Sequence, residues 1–204
     1  LVPYLPIPMV GKSGDEFRWL DEKDCPHSIG RLSAFMGNAA ILLRAYIYIR
    51  ALGKRGLERV GTFATLNANY MMACLKKAGF DISFPNRRAS HEFIISFKAL
   101  AKSHNVTAMD VAKRILDYGC YAPTTYFPLL IPECFLIEPT ETEAKEDLDY
   151  FIGVMQTIME EVAEDAEMVR HAPHTLPVSR LDDVKAVREL DIVWKDKEAD
   201  LQKD

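Results

Sequence analysis

The sequence predicts a mixed α/β (α+β) fold in which long helices pack on one face of a short, mainly antiparallel sheet. Three observations lead there. The first half holds two long stretches with apolar residues at helical spacing. The second half alternates short β-type runs with amphipathic helices in the order β-β-α-β-α. The 204 residues, 49% of them hydrophobic, suffice to bury the core of one large or two small domains.

Residues 1–10 place Pro3, Pro6 and Pro8 among apolar side chains. They read as an extended, proline-stiffened arm that needs a surface to lie against. Residues 11–26 are polar and turn-rich. From Arg31 to Leu52, the residues Leu32, Phe35, Ala39, Leu42, Leu43, Tyr46 and Ile49 recur at helical spacing, with Ser28 as N-cap and Gly53 just past the end. That helix has an apolar face too wide for solvent. A second helix, from about Gly56 to Ala78, is stopped by Gly79. Ile82 to Phe84 and Phe93 to Phe97 are β candidates, with a Pro85-Asn86 turn and the basic pair Arg87-Arg88 between them.

Thr107 caps a third helix, with Asp110 at the capping-box position and Gly119 at the end. Cys134 to Ile137 reads as a buried strand. Thr140, with Glu143 at the box position, is expected to cap a fourth helix, whose stripe is Leu148, Phe151, Ile152, Met155, Ile158 and Val162. Beyond Glu164 the chain turns acidic, Pro173 and Pro177 break it, and residues 196–204 should fray. The expected organisation is an arm and linker over 1–30, a small domain over 31–180 and an acidic tail over 181–204.

A net charge of −5 argues against a nucleic-acid partner, which wants a basic face. No apolar run approaches the roughly 20 residues that a membrane helix needs. The prolines of the arm and its lack of a basic region exclude a signal peptide. A chain that starts at Leu1 rather than Met is expected to be a piece of a longer one. Cys25, Cys74, Cys120 and Cys134 are widely spread without a CxxC pair, which suits reduced thiols in a cytoplasmic setting. Gly11-Lys12-Ser13 is no phosphate loop, because the first glycine of that pattern falls at Pro6. His91-Glu92 opens like a zinc motif but continues Phe93-Ile94-Ile95, so no metal site is expected. No Ser–His–Asp order or dinucleotide fingerprint is present. What stands out is His91 at a strand start and the proline-held loop from Ala122 to Pro128, of the kind that presents side chains to a ligand.

Specific strings then narrow the reading. Ser28-Ile29-Gly30-Arg31, Gly37-Asn38 and Leu43-Arg44-Ala45-Tyr46 are followed by Leu66-Asn67-Ala68-Asn69-Tyr70 and His91-Glu92-Phe93. Tyr118-Gly119, Ala122-Pro123-Thr124, Ile137-Glu138-Pro139-Thr140 and Ala172-Pro173-His174-Thr175 complete the series. In this order, over about residues 1–180, the chain resembles the C-terminal part of the P-protein family of the glycine cleavage system. Its ending, Val178-Ser179-Arg180-Leu181-Asp182, is most similar to the separate subunit 2 of bacteria and archaea.

The resemblance implies the C-terminal small domain of a fold-type I pyridoxal 5′-phosphate enzyme. In that family glycine is decarboxylated on the cofactor and its aminomethyl group passes to the lipoyl arm (lipoate) of H-protein. Implied partners are subunit 1 and a second copy of subunit 2 in a heterotetramer, with H-protein and glycine, and neither nucleic acid nor membrane. The cofactor lysine belongs to a His-Lys pair upstream of Leu1, so the chain by itself is expected to be inactive. The residues expected near substrate or cofactor are Thr124, His91, Arg31, Asn38 and Arg44. Each has a structural alternative: a turn hydroxyl for Thr124, a hydrogen-bonded histidine, surface ion pairs for the arginines and a helix cap for Asn38. A non-catalytic interaction or regulatory module, or another fold-type I decarboxylase or lyase, stays open as the alternative function.

Overall fold

The computed structural model describes residues 1–33 and 37–194. Phe35 and the expected frayed end lie outside those residues. The chain divides into two compact units, residues 1–57 and 58–204, and helix α1 (Ala39–Lys77) runs through the boundary.

In the first unit the expected arm and turn-rich segment form a hairpin, β1 (Met9–Ser13) against β2 (Glu16–Leu20). Its two-residue turn begins at Gly14, whose φ of +61° suits glycine. Arg18 clasps Asp24 through two hydrogen bonds of 2.9 and 2.5 Å. That contact, helped by the Asp21 N–H, drops the Asp24 pKa to about 2. Ser28 does not cap a helix. Its hydroxyl donates to Leu5 O and accepts from Gly30 N–H, folding the arm onto the linker.

The first long helix therefore starts later than periodicity suggested. Asn38 Oδ1 accepts from the N–H groups of Ala40 and Ile41 at 3.0 and 3.3 Å, directly after Gly37 at φ +109°. A cap that satisfies free N–H groups outweighs the apolar period upstream of it. The expected interruption at Gly53 is present, with φ 61° and ψ −176°, a region open to glycine alone.

The second unit is built around a four-stranded antiparallel sheet of order β3 (Asp81–Ile82), β4 (Phe93–Ser96), β6 (Cys134–Ile137), β5 (Thr124–Thr125). Phe93 pairs with Ile137 and Ile95 with Phe135, and all four are buried against helices. The alternate row, Ile94–Leu136–Thr124, lies on the opposite face, because strand side chains alternate. Ala68, Met71 and Leu75 of α1 form one buried stripe at helical spacing. Ile115, Met155 and Ile158 fill the core with Phe135. Each such side chain contributes roughly 1.5–3 kcal/mol on burial.

Helix α2 (Lys98–His104) was not foreseen; it ends on Asn105 in the left-handed region. Helix α3 (Ala108–Asp117) starts with the expected box: Thr107 Oγ1 accepts from Asp110 N–H and Asp110 Oδ2 accepts from Thr107 N–H. Helix α4 (Lys145–Glu164) starts after Ala144, not Thr140, because the Asp147 carboxylate takes the Ala144 N–H. The Thr140 and Thr142 hydroxyls pair with each other instead. Helix α5 (Ala166–Arg170) follows, and helix α6 (Asp183–Arg188), capped by Asp182, lies in the segment expected to be a tail. Among the described residues no helix is long and apolar enough to cross a membrane.

Candidate functional site

The Leu66-Asn67-Ala68-Asn69-Tyr70 string sits on α1 and ties two loops to it. Ala68 is fully buried. Asn67 Nδ2 donates to Thr140 O at 2.8 Å and Glu143 O at 3.2 Å, fixing the segment after β6. Asn69 donates to Ala89 O at 2.8 Å and accepts from Ala89 N–H at 3.1 Å, fixing the approach to His91. Tyr70 donates to Asp149 of α4 at 2.5 Å. One helix thus positions both loops that carry the resemblance, and spacing alone did not point to these asparagines.

Between the loop after α3 and the segment after β6 lies a cleft of about 620 Å³. Pro123, Cys120 and Tyr121 line one side, and Glu138, Thr140 and Phe151 the other. The Tyr150 hydroxyl donates to Tyr118 O at 3.0 Å and braces the loop. Burial pushes the Cys120 thiol up, so it is no activated nucleophile.

The site residues expected from sequence fall in both units. Thr124 lies exposed on edge strand β5, one residue past the cleft lining. The His91 ring takes a 3.1 Å contact from Ser90 Oγ at Nδ1, and its Nε2 lies 3.9 Å from Glu92 and from Glu138. These three donors, all within 4.8 Å of one another, would have to close in before holding a zinc ion, whose nitrogen and oxygen ligands lie about 2 Å from it. Arg31 reaches Glu22 at 3.7 Å, Asn38 caps α1, and Arg44 is exposed on α1. These three belong to the first unit.

A second polar cluster locks the end of the unit. Arg114, nearly buried, donates to Glu161 at 2.9 and 2.6 Å and to Asp117 at 2.9 Å. The Arg114 contact holds Glu161 below the usual carboxylate range against the effect of burial. Burial raises Asp117, but the N–H groups of Thr175 and His174 together with Arg114 outweigh it and keep its pKa low. Those N–H groups belong to the Ala172-Pro173-His174-Thr175 string, held at 2.7 and 2.8 Å. Arg180 ties the same segment down through Asp110 at 2.6 Å and Ala172 O at 2.7 Å.

An imine-forming cofactor needs a lysine in its cavity. Among the described residues neither this cleft nor the smaller one beside Arg87 is lined by a lysine. The linings of these two clefts therefore offer no amine for such a bond.

The family described as glycine dehydrogenase, C-terminal domain, matches residues 60–176, the stretch that carries the sheet, the cleft and the polar lock. The chain belongs to that family. It is 61% identical over 194 residues, 95% of its length, to a Coxiella burnetii protein named probable glycine dehydrogenase (decarboxylating) subunit 2. It is likewise 61% identical over 195 residues to the Nitrosospira multiformis protein of that name, and 59% identical to the one from Thioalkalivibrio sulfidiphilus. It covers 40% of the Coxiella protein and 39% of each of the other two. The chain therefore spans about two fifths of the length of the curated relatives it matches. The resemblance read from the glycine dehydrogenase strings holds across almost the whole chain.

Proposed function

We propose that this chain serves as the C-terminal part of a glycine dehydrogenase (decarboxylating) subunit 2. The observation that carries the reading is the match of 95% of the chain, at 61% identity, to relatives of that name. In this reading residues 1–30 are arm and linker, 31–180 the small domain and 181–204 the tail. Pyridoxal 5′-phosphate is held by the part of the protein that this chain does not span, in a fold-type I arrangement, and supplies the electron sink for loss of CO2.

The chain's own share is to bind and enclose. The loop with Thr124 and the His91–Glu138 pair wall one side of the site, Arg31 and Arg44 attract anionic groups, and Asn38 fixes the start of α1. Subunit 1 and a second copy of subunit 2 complete a heterotetramer, and the lipoyl arm of H-protein receives the aminomethyl group. The setting is cytoplasmic. Among the alternatives, a regulatory module or another decarboxylase has no specific observation in its favour.

The test is glycine-dependent CO2 release by the longer protein together with subunit 1, H-protein and pyridoxal phosphate. Release is expected from the longer protein and none from the 204-residue chain in its place. A longer protein that binds pyridoxal phosphate yet leaves glycine untouched would overturn the reading. Thr124→Val in the longer protein should lower turnover tenfold or more while leaving its melting temperature unchanged.

A further inference from the structure

A second, smaller cleft lies beside the turn between β3 and β4, and nothing in the proposed reaction uses it. Its volume is about 180 Å³. Phe84, Ile94 and Leu136 give it an apolar floor, while Arg87 and Arg88 stand at it as consecutive exposed residues. Asn69 fixes the backbone on the far side of the pair by gripping both polar groups of Ala89. Arg87 is set by its own N–H, which donates to Phe84 O at 3.1 Å.

Among the described residues neither guanidinium has a carboxylate within ion-pair distance. The one acidic group in the lining is Glu92, whose carboxylate lies 3.9 Å from His91 Nε2. Two positive charges against one negative leave a single positive charge uncompensated over an apolar, half-enclosed floor. A guanidinium recognises carboxylate by paired N–H donors, and the low-dielectric wall strengthens that contact. An inorganic anion would leave the floor wet. We propose that this cleft binds a small amphiphilic monocarboxylate, its head on Arg87 and Arg88 and its short apolar tail on Phe84, Ile94 and Leu136.

Hexanoate is the probe. Titrated into the 204-residue chain and followed by calorimetry, it should bind saturably at one site, whereas hexanol and hexylamine should not. Arg87→Gln and Arg88→Gln should each weaken it roughly tenfold, the loss of one charge-assisted contact. Glu92→Gln should tighten it several-fold by removing the competing charge. Inorganic phosphate at equal concentration should bind at least tenfold more weakly; equal binding would overturn the amphiphilic assignment. Labelling of the unaltered chain with phenylglyoxal keeps the test valid if a variant fails to fold. Hexanoate should shield Arg87 and Arg88 and leave Arg44 reactive. Undiminished labelling of that pair, or hexanoate binding untouched in the double variant, would overturn the proposal.

Discussion

Asn69 grips Ala89 with one bond to its carbonyl and one from its N–H, and donates a third bond to Thr65 O at 2.8 Å. Asn69→Ala takes the partners from both polar groups of Ala89 at once in a partly buried site, so a loss of about 1–3 kcal/mol is expected in urea denaturation. Faster amide exchange at residues 89–92 should accompany it. Arg114 carries a larger share. Arg114→Ala leaves Glu161 and Asp117 buried without their cation and should cost about 3–5 kcal/mol. Both carboxyls have folded pKa values depressed below their unfolded ones. Their contribution is therefore complete above the unfolded values near pH 4 and vanishes as the pH falls through the folded ones. Urea midpoints at pH 7 and pH 3 should differ strongly in the native chain and much less in Arg114→Met.

Glycines give α1 two opposite responses. Gly53 adopts φ 61° and ψ −176°, so a β-carbon there is strained even though no atom lies within 4 Å of it. Gly61 lies inside the helix with the same open space and no positive φ. Gly53→Ala should destabilise by about 1–3 kcal/mol, and Gly61→Ala should stabilise by about 0.5–1 kcal/mol, both read from thermal unfolding. The break at Gly53, the Thr107–Asp110 box and the strand over 134–137 were legible because each is set by residues within a few positions. The hairpin β1–β2 was not: prolines on one side and Gly11, Lys12 and Ser13 within β1 hid its alternation, and Phe17 and Trp19 face solvent rather than a core. Nor were the partners of Asn67 and Asn69, which lie 73 and 20 residues away, where no periodicity reaches. Of the candidate site, the two loops were readable as strings. The cleft between them was not, since it forms where the loop after α3, the segment after β6 and helix α4 come together.

Among the described residues both units expose large apolar side chains, the first more densely. Ile41, Leu42, Leu43, Tyr46, Ile47 and Ile49 of α1 are exposed, as are Phe17 and Trp19 of the hairpin. Patches of that kind mark surfaces meant to be covered. The 204-residue chain should therefore bind a hydrophobic dye and associate with itself in sedimentation, and a clean monomer without dye binding would speak against it. The second unit encloses a core of its own and also exposes Tyr121, Leu129, Leu130 and Trp194. The proposed role is that of a domain that walls a reaction centre without holding its coenzyme. Incubation of the chain with pyridoxal phosphate, borohydride reduction and peptide mass mapping tests that most directly. Only scattered, substoichiometric labelling of surface lysines, indifferent to glycine, is predicted. One lysine labelled to completion and released by glycine would contradict the account.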